Sequence, residues 1–317
     1  AEVTQVIELG GKGAARMAVA EAEAGGAEAA AAVLDARVAL EVSRTYLDAV
    51  RLRERHRALT LQVVDLNEAA RVLDRRVAVG STAESELLRL RTEAARADSD
   101  RVRAELAANR AIVALTSRLA IDATLDALVA PTPPVLSAPD DASLSRRPDV
   151  TAAVRAVETA RQGLRLEDAR GVPDPAVNAG YKRTVGYNTA QVTVSVPIPI
   201  FNRNRPARIV AAGQLTAAEL ERSAVERRAR GEMAATRTAA LALMARARDA
   251  RASLLEPALG ARDAARAAFS TGLLDVLRLV DAERVFTEAM LVAIDLEIDA
   301  VVSAIEARVA AGEDPLP

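Results

Sequence analysis

Apolar residues recur at three- and four-residue spacing over most of the chain. The first such stretch runs from about Lys12 to Val79 without a proline, and it predicts a helix on the order of 100 Å long at 1.5 Å per residue. This spacing is typical of a helix that packs against partner helices in coiled-coil fashion. The apolar positions include Val42, Tyr46, Ala49, Val50, Leu61, Val64, Leu66, Val72 and Leu73.

Gly80 separates this helix from a second one. The sequence "STAE" at 81–84 matches a capping box, and the helical pattern then continues to about Ala120. The two helices predict a long αα-hairpin with its tip at Gly80. Residues 121–147 are rich in proline, serine and aspartate, which predicts an ordered, mostly non-helical strap, and Pro148 fits the first position of a helix over 148–170.

One stretch departs from helical spacing, because its apolar and polar residues alternate. Residues 174–200 predict a β-hairpin, and its second strand carries an apolar face opposite a polar one. The apolar face consists of Val192, Val194, Val196, Ile198 and Ile200. Such alternation predicts one side against a nonpolar phase and one against water or polar groups. A hairpin on a soluble core is the alternative, although an isolated hairpin is only marginally stable in water.

The second half of the sequence repeats the break positions of the first. A long helical hairpin over 206–311 has its tip at Gly272; Arg16 aligns with Arg208 and Gly80 with Gly272, both at an offset of 192 residues. The sequence therefore predicts two repeats, 1–171 and 172–317. The first repeat begins with a short strand only, so the same pattern predicts about one further strand and one helix ahead of Ala1.

Composition narrows the classes of function. Half of the residues are apolar, only 2% are aromatic, and the formal net charge is -2. An alanine-rich chain of this kind suits closely packed helices, and its balanced charge does not predict a nucleic-acid partner. The absence of cysteine excludes thiol catalysis and disulfides. No stretch of about 18 uninterrupted apolar residues predicts a membrane-spanning helix.

Catalytic and metal-binding motifs are weak. The single histidine, His56, lies among charged residues of the first long helix and is interpreted as a solvated surface residue. The sequence "GGKG" at 10–13 lacks the spacing of a phosphate-binding loop, and "PDDAS" at 139–143 has too few carboxylates for a calcium site. The sequence predicts no enzyme, no cofactor and no resident metal.

Several motifs, taken in order, resemble one family. These are "QVIELGGKGAAR", "RRPDV" at 146–150, "VPDPAVNAGY", "VSVPIPIFNRNR" and "GLLDVLRLVDAER". They resemble the outer-membrane factor family, the TolC-like exit ducts of tripartite efflux pumps and type I secretion systems. The glycine-lysine turn and "PIPIFNRNR" are most similar to the heavy-metal RND efflux branch, which is CzcC/CusC-like. The resemblance covers essentially the whole chain.

The resemblance implies a mainly α fold with a small β part. Long helical hairpins of a homotrimer would form an α-barrel across the periplasm, and four strands from each protomer would form a 12-stranded transmembrane β-barrel in the outer membrane of a Gram-negative bacterium. The apolar strand face would contact outer-membrane lipid. The implied function is a passive exit channel from periplasm to exterior, for metal ions or small toxic compounds, with a periplasmic adaptor and an inner-membrane RND-type pump as partners.

The same resemblance points to the hairpin tips. Gly80 and Gly272 would mark where the adaptor docks, and family gates use acidic residues six and nine positions after the tip glycine. Those positions hold Glu86 and Arg89 in the first repeat, and Arg278 and Asp281 in the second. A salt pair between Glu86 and Arg278 across neighbouring tips, or simply solvated tip charges, are the alternatives to an acidic ring. A soluble helical scaffold or a periplasmic adaptor is the alternative function, because adaptors also carry long helical hairpins.

Overall fold

A computed structural model describes residues 1–138, 140–198 and 203–315. The described part is mostly helical with a small sheet, so the predicted fold class is confirmed. In chain order the elements are β1 (Glu2–Val6), α1 (Lys12–Ala78), α2 (Glu84–Leu119), a 3-10 turn (Leu125–Ala127), α3 (Asp141–Arg146), α4 (Pro148–Arg170), β2 (Ala176–Thr184), β3 (Tyr187–Ser195), α5 (Arg205–Ala250), a π-helical segment (Arg251–Leu255), α6 (Glu256–Thr271) and α7 (Val276–Ala310).

Contacts divide the chain into two compact units. The sheet unit comprises Ala1–Ala36 and Pro139–Gly231, and the tip unit comprises Arg37–Ala138 and Glu232–Pro317. Each unit takes part of both predicted repeats. The repeat boundary between residues 171 and 172 is therefore not a boundary between compact units, and the duplication stays a prediction from the sequence.

The sheet unit contains an antiparallel sheet in the order β1-β2-β3. Gly186, with a φ of 87°, lies in the tight turn that joins β2 to β3. Glycine adopts a positive φ without strain because it has no Cβ. The hairpin spans Ala176–Ser195 and is shorter than the predicted 174–200. Pro197 has no N–H to donate to a ladder, which favours an early end. The predicted position Ile200 lies outside the described residues.

The turn between β1 and α1 is attached to the start of β2. Lys12 is buried, donates to the carbonyl of Val172 at 2.6 Å and pairs with Asp174 at 2.6 Å. The other carboxylate oxygen of Asp174 accepts the N–H of Leu9 at 2.9 Å. A Cβ on Gly10 would lie 2.8 Å from the Val172 side chain, so the close approach requires glycine. The lysine of "GGKG" therefore has a structural role, which is to hold this turn against the start of β2.

Two helical hairpins form the tip unit. The first joins α1 to α2 through Gly80, and the second joins α6 to α7 through Gly272; both glycines have a φ near the left-handed region, at 73° and 84°. One hydrophobic cluster contains residues of both hairpins, among them Leu73, Leu90, Phe269 and Leu279. Burial of this shared apolar face holds the hairpins together.

Helix starts at the two tips differ from each other. The predicted capping box at 81–84 is wrong, because α2 begins after Ala83 without a side-chain cap, and the Ser81 hydroxyl instead donates back to the carbonyl of Arg76 at 2.9 Å. At the second tip Asp275 does cap α7, since its carboxylate accepts the N–H of Arg278 at 2.9 Å. In the predicted strap, the Tyr46 hydroxyl donates to the carbonyl of Val129 and accepts its N–H, at 2.8 and 2.9 Å; the strap as a unit stays a prediction.

Candidate functional site

The two hairpin tips enclose a cleft of about 550 Å³, which we call the tip cleft. Its lining includes Arg76, Ser81, Glu86, Phe269, Asp275 and Arg278. Both glycine turns border it or lie next to its lining, and large apolar side chains stand exposed there: Val79 is 78% exposed and Leu273 is 85% exposed. An exposed apolar residue at each tip, beside a charged cleft, is a surface suited to a protein partner.

Arg76 joins the two tips. Its Nη2 donates to the carbonyls of Phe269 at 2.6 Å and Ser270 at 2.9 Å, and its guanidinium lies 5.1 Å from the centre of the Phe269 ring. These carbonyls are at the C-terminal end of α6, where the negative end of the helix dipole favours a cation. The Phe269 carbonyl also accepts the N–H of Gly272 at 3.0 Å. Sequence reasoning missed Arg76, because the acceptors lie 193 and 194 residues further along the chain.

The structure brings together two of the three predicted gate residues. Glu86 and Arg278 both line the tip cleft, each in the first turn of its helix. No ion pair joins them in the part of the chain that the structure describes, so the predicted pairing is not formed within this chain. Asp281 is exposed and does not line the cleft. A gate role for these residues stays a prediction.

The sheet carries an apolar face that runs across all three strands. Val3 lies opposite Ala179, which lies opposite Val192, and Val177 lies opposite Val194. Directly opposed residues of an antiparallel sheet share a face. Val192 is 75% exposed and Val194 is 63% exposed. The predicted Val196 and Ile198 are also exposed but follow the end of β3.

The opposite face of the sheet is polar. Thr4, Asn178 and Thr193 lie side by side on it, and the Thr4 hydroxyl donates to the side-chain oxygen Oδ1 of Asn178 at 2.5 Å. The alternation predicted from the sequence therefore places one apolar and one polar surface on a single sheet. An exposed apolar face of this extent suits a nonpolar surrounding.

His56 is not the solvated residue that the sequence predicted. It is half-buried, and its Nε2 is buried without a hydrogen-bond partner among the described residues. The neighbouring Arg55 pairs with Asp295 of α7 at 2.6 Å, so this side of α1 faces another helix. The charged neighbours in the sequence suggested solvent, but they make ion pairs instead. Within the described ranges, no group of three or more histidine or acidic residues could hold a metal ion.

These features together define a class of protein. Long antiparallel helical hairpins that end in glycine turns, with a small sheet exposing an apolar face, are the architecture of a TolC-like efflux channel subunit. None of the described helices has a stretch that is both long and apolar enough to cross a membrane.

Residues 141–313 match the profile of the family described as outer membrane efflux protein, and the chain belongs to this family. It is 28% identical over 301 residues to the cobalt-zinc-cadmium resistance protein CzcC of Cupriavidus metallidurans, which covers 91% of this chain and 71% of that protein. It is 29% identical over 250 residues to the nickel-cobalt-cadmium resistance protein NccC of Alcaligenes xylosoxydans xylosoxydans, covering 74% of this chain and 56% of that protein.

The fold agrees with that of a solved channel. The crystal structure of CusC, a protein that forms a transmembrane channel, superimposes on this chain with a TM-score of 0.80 at 17% identity. The superposition covers 98% of this chain and 76% of CusC. The predicted family and its outer-membrane location are confirmed. The family consists of efflux channels, so the comparisons do not support the alternative of a soluble scaffold or a periplasmic adaptor.

Proposed function

We propose that this chain is one protomer of a homotrimeric exit duct that passes heavy-metal ions from the periplasm to the exterior. The proposal that metal ions are the cargo rests on the similarity to two metal-resistance proteins. Their alignments cover 91% and 74% of the chain. The duct would be passive, because the chain needs no catalytic group to let ions through. The driving force would come from an inner-membrane RND-type pump, joined to the duct by a periplasmic adaptor.

The sheet is the proposed contact with outer-membrane lipid. Its apolar face, with Val192 and Val194, would meet the hydrocarbon, and its polar face, with Thr4, Asn178 and Thr193, would line the aqueous path. Across the described ranges, β1 and β3 each keep one unpaired edge. Such edges are unstable in lipid unless they are closed by other strands. Strands from neighbouring protomers would complete the sheet into a barrel.

The tips around Gly80 and Gly272 are the proposed docking surface for the adaptor. Val79 and Leu273 offer exposed apolar contacts there. Glu86 and Arg278, which line the tip cleft, would set the charge of the periplasmic entrance. Asp281 is exposed and does not line the cleft, although it follows Arg278 closely in the sequence. Its part in a gate would therefore depend on neighbouring protomers.

A complementation assay tests the cargo. A metal-sensitive bacterium that keeps its own RND pump and adaptor but lacks the duct would be supplied with this chain, and growth would be measured in cobalt, zinc, cadmium and organic toxicants. We expect rescue in the metals. Rescue in the organic compounds alone would show that the cargo is organic and not a metal ion. A strain with an inactive pump is the control, since a passive duct cannot rescue it.

A further inference from the structure

The basic residues in and around the β-hairpin lie at its two ends. Residues 175–218 contain five basic residues and no acidic one, and the stretch 184–202 contains no charged residue. The five are Lys182, Arg183, Arg203, Arg205 and Arg208. Of these, Arg208 pairs with Asp168 at 2.5 Å. Positive charge without a nearby acidic residue in the sequence therefore lies at either end of the strand that carries the apolar face.

Lys182 and Arg183 lie on opposite faces of the sheet, because successive residues of a strand point to opposite sides. Arg183 is paired with Asn188, and its side of β2 also carries Val177. Lys182 is paired with Thr189, on the polar face. Arg183 therefore places a charge on the apolar face, at the end nearest the turn.

Along this face of β2 the side chains change from apolar to charged. Val177 and Ala179 come first, Tyr181 follows, and Arg183 is the last before the turn. Tyrosine is enriched where a membrane meets water, and the cost of an arginine falls steeply from the bilayer centre towards that boundary. Under the proposed lipid contact, Arg183 lies at the level of the headgroups. Because α4 and α5 join the opposite end of the hairpin, this level is that of the outer leaflet.

Tyr181 orients the Asn188 side chain beside Arg183. The Tyr181 hydroxyl donates to Oδ1 of Asn188 at 2.8 Å, which leaves the amide nitrogen Nδ2 as a donor. Among the residues that the structure describes, this nitrogen has no acceptor and Arg183 has no ion pair. Directly paired residues of an antiparallel sheet have Cβ atoms about 5 Å apart. A guanidinium and an amide donor thus stand side by side, both exposed.

These donors suit a phosphate group. The planar guanidinium matches two phosphate oxygens at once, and an amide N–H can donate to a third. Glu2, the acidic residue of the three described strands, is paired with Gly180 and so lies on the polar face, where it does not compete for Arg183. A lipid phosphate fits better than a free one, because the apolar side chains beyond Tyr181 offer a surface for acyl chains.

We propose that Arg183 and Asn188 bind the phosphate of an outer-leaflet lipid, with Tyr181 at the boundary between headgroup and acyl chains. The chains of the same lipid lie along Ala179 and Val192. The contact sets the depth of the hairpin in the membrane, because an arginine that moved into the hydrocarbon would lose its phosphate and its water. The inference rests on the proposed lipid contact of the sheet and adds a specific ligand to that contact.

Binding is measured on the folded chain in detergent by native mass spectrometry, with phosphorylated lipid A as the probe. The comparison is the same lipid with its phosphates removed. We expect the phosphorylated lipid to bind at least about fivefold more tightly. Equal binding of the two lipids would overturn the phosphate site. Inorganic phosphate at the same concentration should not displace the lipid, and displacement would assign the site to free phosphate instead.

Arg183→Gln removes the charge and keeps a polar side chain. We expect it to weaken the binding of phosphorylated lipid A about fivefold and to leave the binding of the dephosphorylated lipid unchanged. Lys182→Gln is the matched control, because it makes the same change one residue away on the polar face. Equal losses in the two variants would mean that the lipid responds to overall charge, which would overturn the site.

Asn188→Asp tests the second donor at constant size. It replaces the free amide N–H with a carboxylate that would pair with Arg183 and repel phosphate, so we expect a loss at least as large as in Arg183→Gln. Thr189→Asp adds the same charge opposite Lys182, on the polar face, and should keep native binding. Native affinity in Asn188→Asp would overturn the paired site.

Recovery in the membrane separates this inference from the proposed function. The heat-modifiable, folded band in outer-membrane fractions is recorded for the native chain and for every variant. A native chain that is absent from the membrane would refute the proposed duct, and the lipid site with it. A folded, membrane-embedded chain that binds both forms of lipid A equally would refute the lipid site alone.

Discussion

Arg76 and Phe269 are joined twice, through a hydrogen bond of 2.6 Å from the guanidinium to the Phe269 carbonyl and through the ring, 5.1 Å away. Each residue lies about one helical turn before the glycine of its own tip. The contact ties the end of α1 to the end of α6, and with Leu73, Leu90 and Leu279 nearby in the same hydrophobic cluster it holds the two tips side by side.

Arg76→Ala should destabilise the tip unit by about 1–3 kcal/mol, because it leaves the carbonyls of Phe269 and Ser270 without their charged donor. The measurement is the thermal midpoint of the helical signal of the detergent-solubilised protein. Arg75→Ala is the matched control, since Arg75 is exposed in the same turn of α1. Equal loss in both variants would show that the bridge contributes nothing.

The buried carboxyl group of Glu283 predicts how the stability of the folded protein changes with pH. Burial raises its pKa in the folded protein above the ordinary value of 4.5. A carboxyl group of this kind takes up its proton more readily in the folded state, so it adds stability as the pH falls from neutral towards that ordinary value, and this stability is lost as the pH rises through the folded pKa.

Glu283→Gln removes this titration. We compare the thermal midpoint of Glu283→Gln with that of the native chain. As the pH is lowered from about 7 to about 5, the midpoint of the variant minus that of the native chain should decrease, because only the native chain gains the proton-linked stability. Carboxyl groups far from Glu283 act equally on both proteins and cancel in the difference. Glu288→Gln, which removes an exposed carboxylate from the same helix, is the control. A difference that grows towards acid would contradict the assignment.

The two faces of the sheet should tolerate charge unequally. Val192→Lys should reduce the amount of folded protein recovered in the outer membrane, with a cost of up to about 2–4 kcal/mol for a lysine that faces lipid. Thr193→Lys adds the same charge at the next position of β3, on the polar face, and should be tolerated. The assay is the heat-modifiable, folded band in membrane fractions; equal recovery of both variants would reject the lipid-facing assignment.

The tip cleft should control conductance if Glu86 and Arg278 set the charge of the entrance. Glu86→Arg and Arg278→Glu should each raise single-channel conductance in planar bilayers, because either reversal places like charges around the cleft. Arg103→Glu, an exposed reversal further along α2, is the control for net charge. Native conductance in both cleft variants would remove the gate assignment.

The sequence alone was sufficient for the features that depend on near neighbours. Glycines at 80 and 272 mark both tips because turns need a positive φ there. The limits of α1 and α4 follow from helical spacing and from Pro148, and the alternation from Gln191 to Ser195 follows from the period of a strand, which also places Val192 and Val194 on one face. Family motifs are strings of this local kind, so the outer membrane efflux family was predictable too.

Tertiary structure decided the contacts between residues that are distant in the sequence. Asp65 meets Arg266, and Arg76 meets Phe269, across about 200 residues, and no local pattern specifies such a partner. His56 is half-buried because α1 meets a second helix on that side, and the capping box failed because Ser81 bonds backward to Arg76. Periodicity states which face of a helix is apolar, whereas the packing of whole helices decides which charges are buried and what they bind.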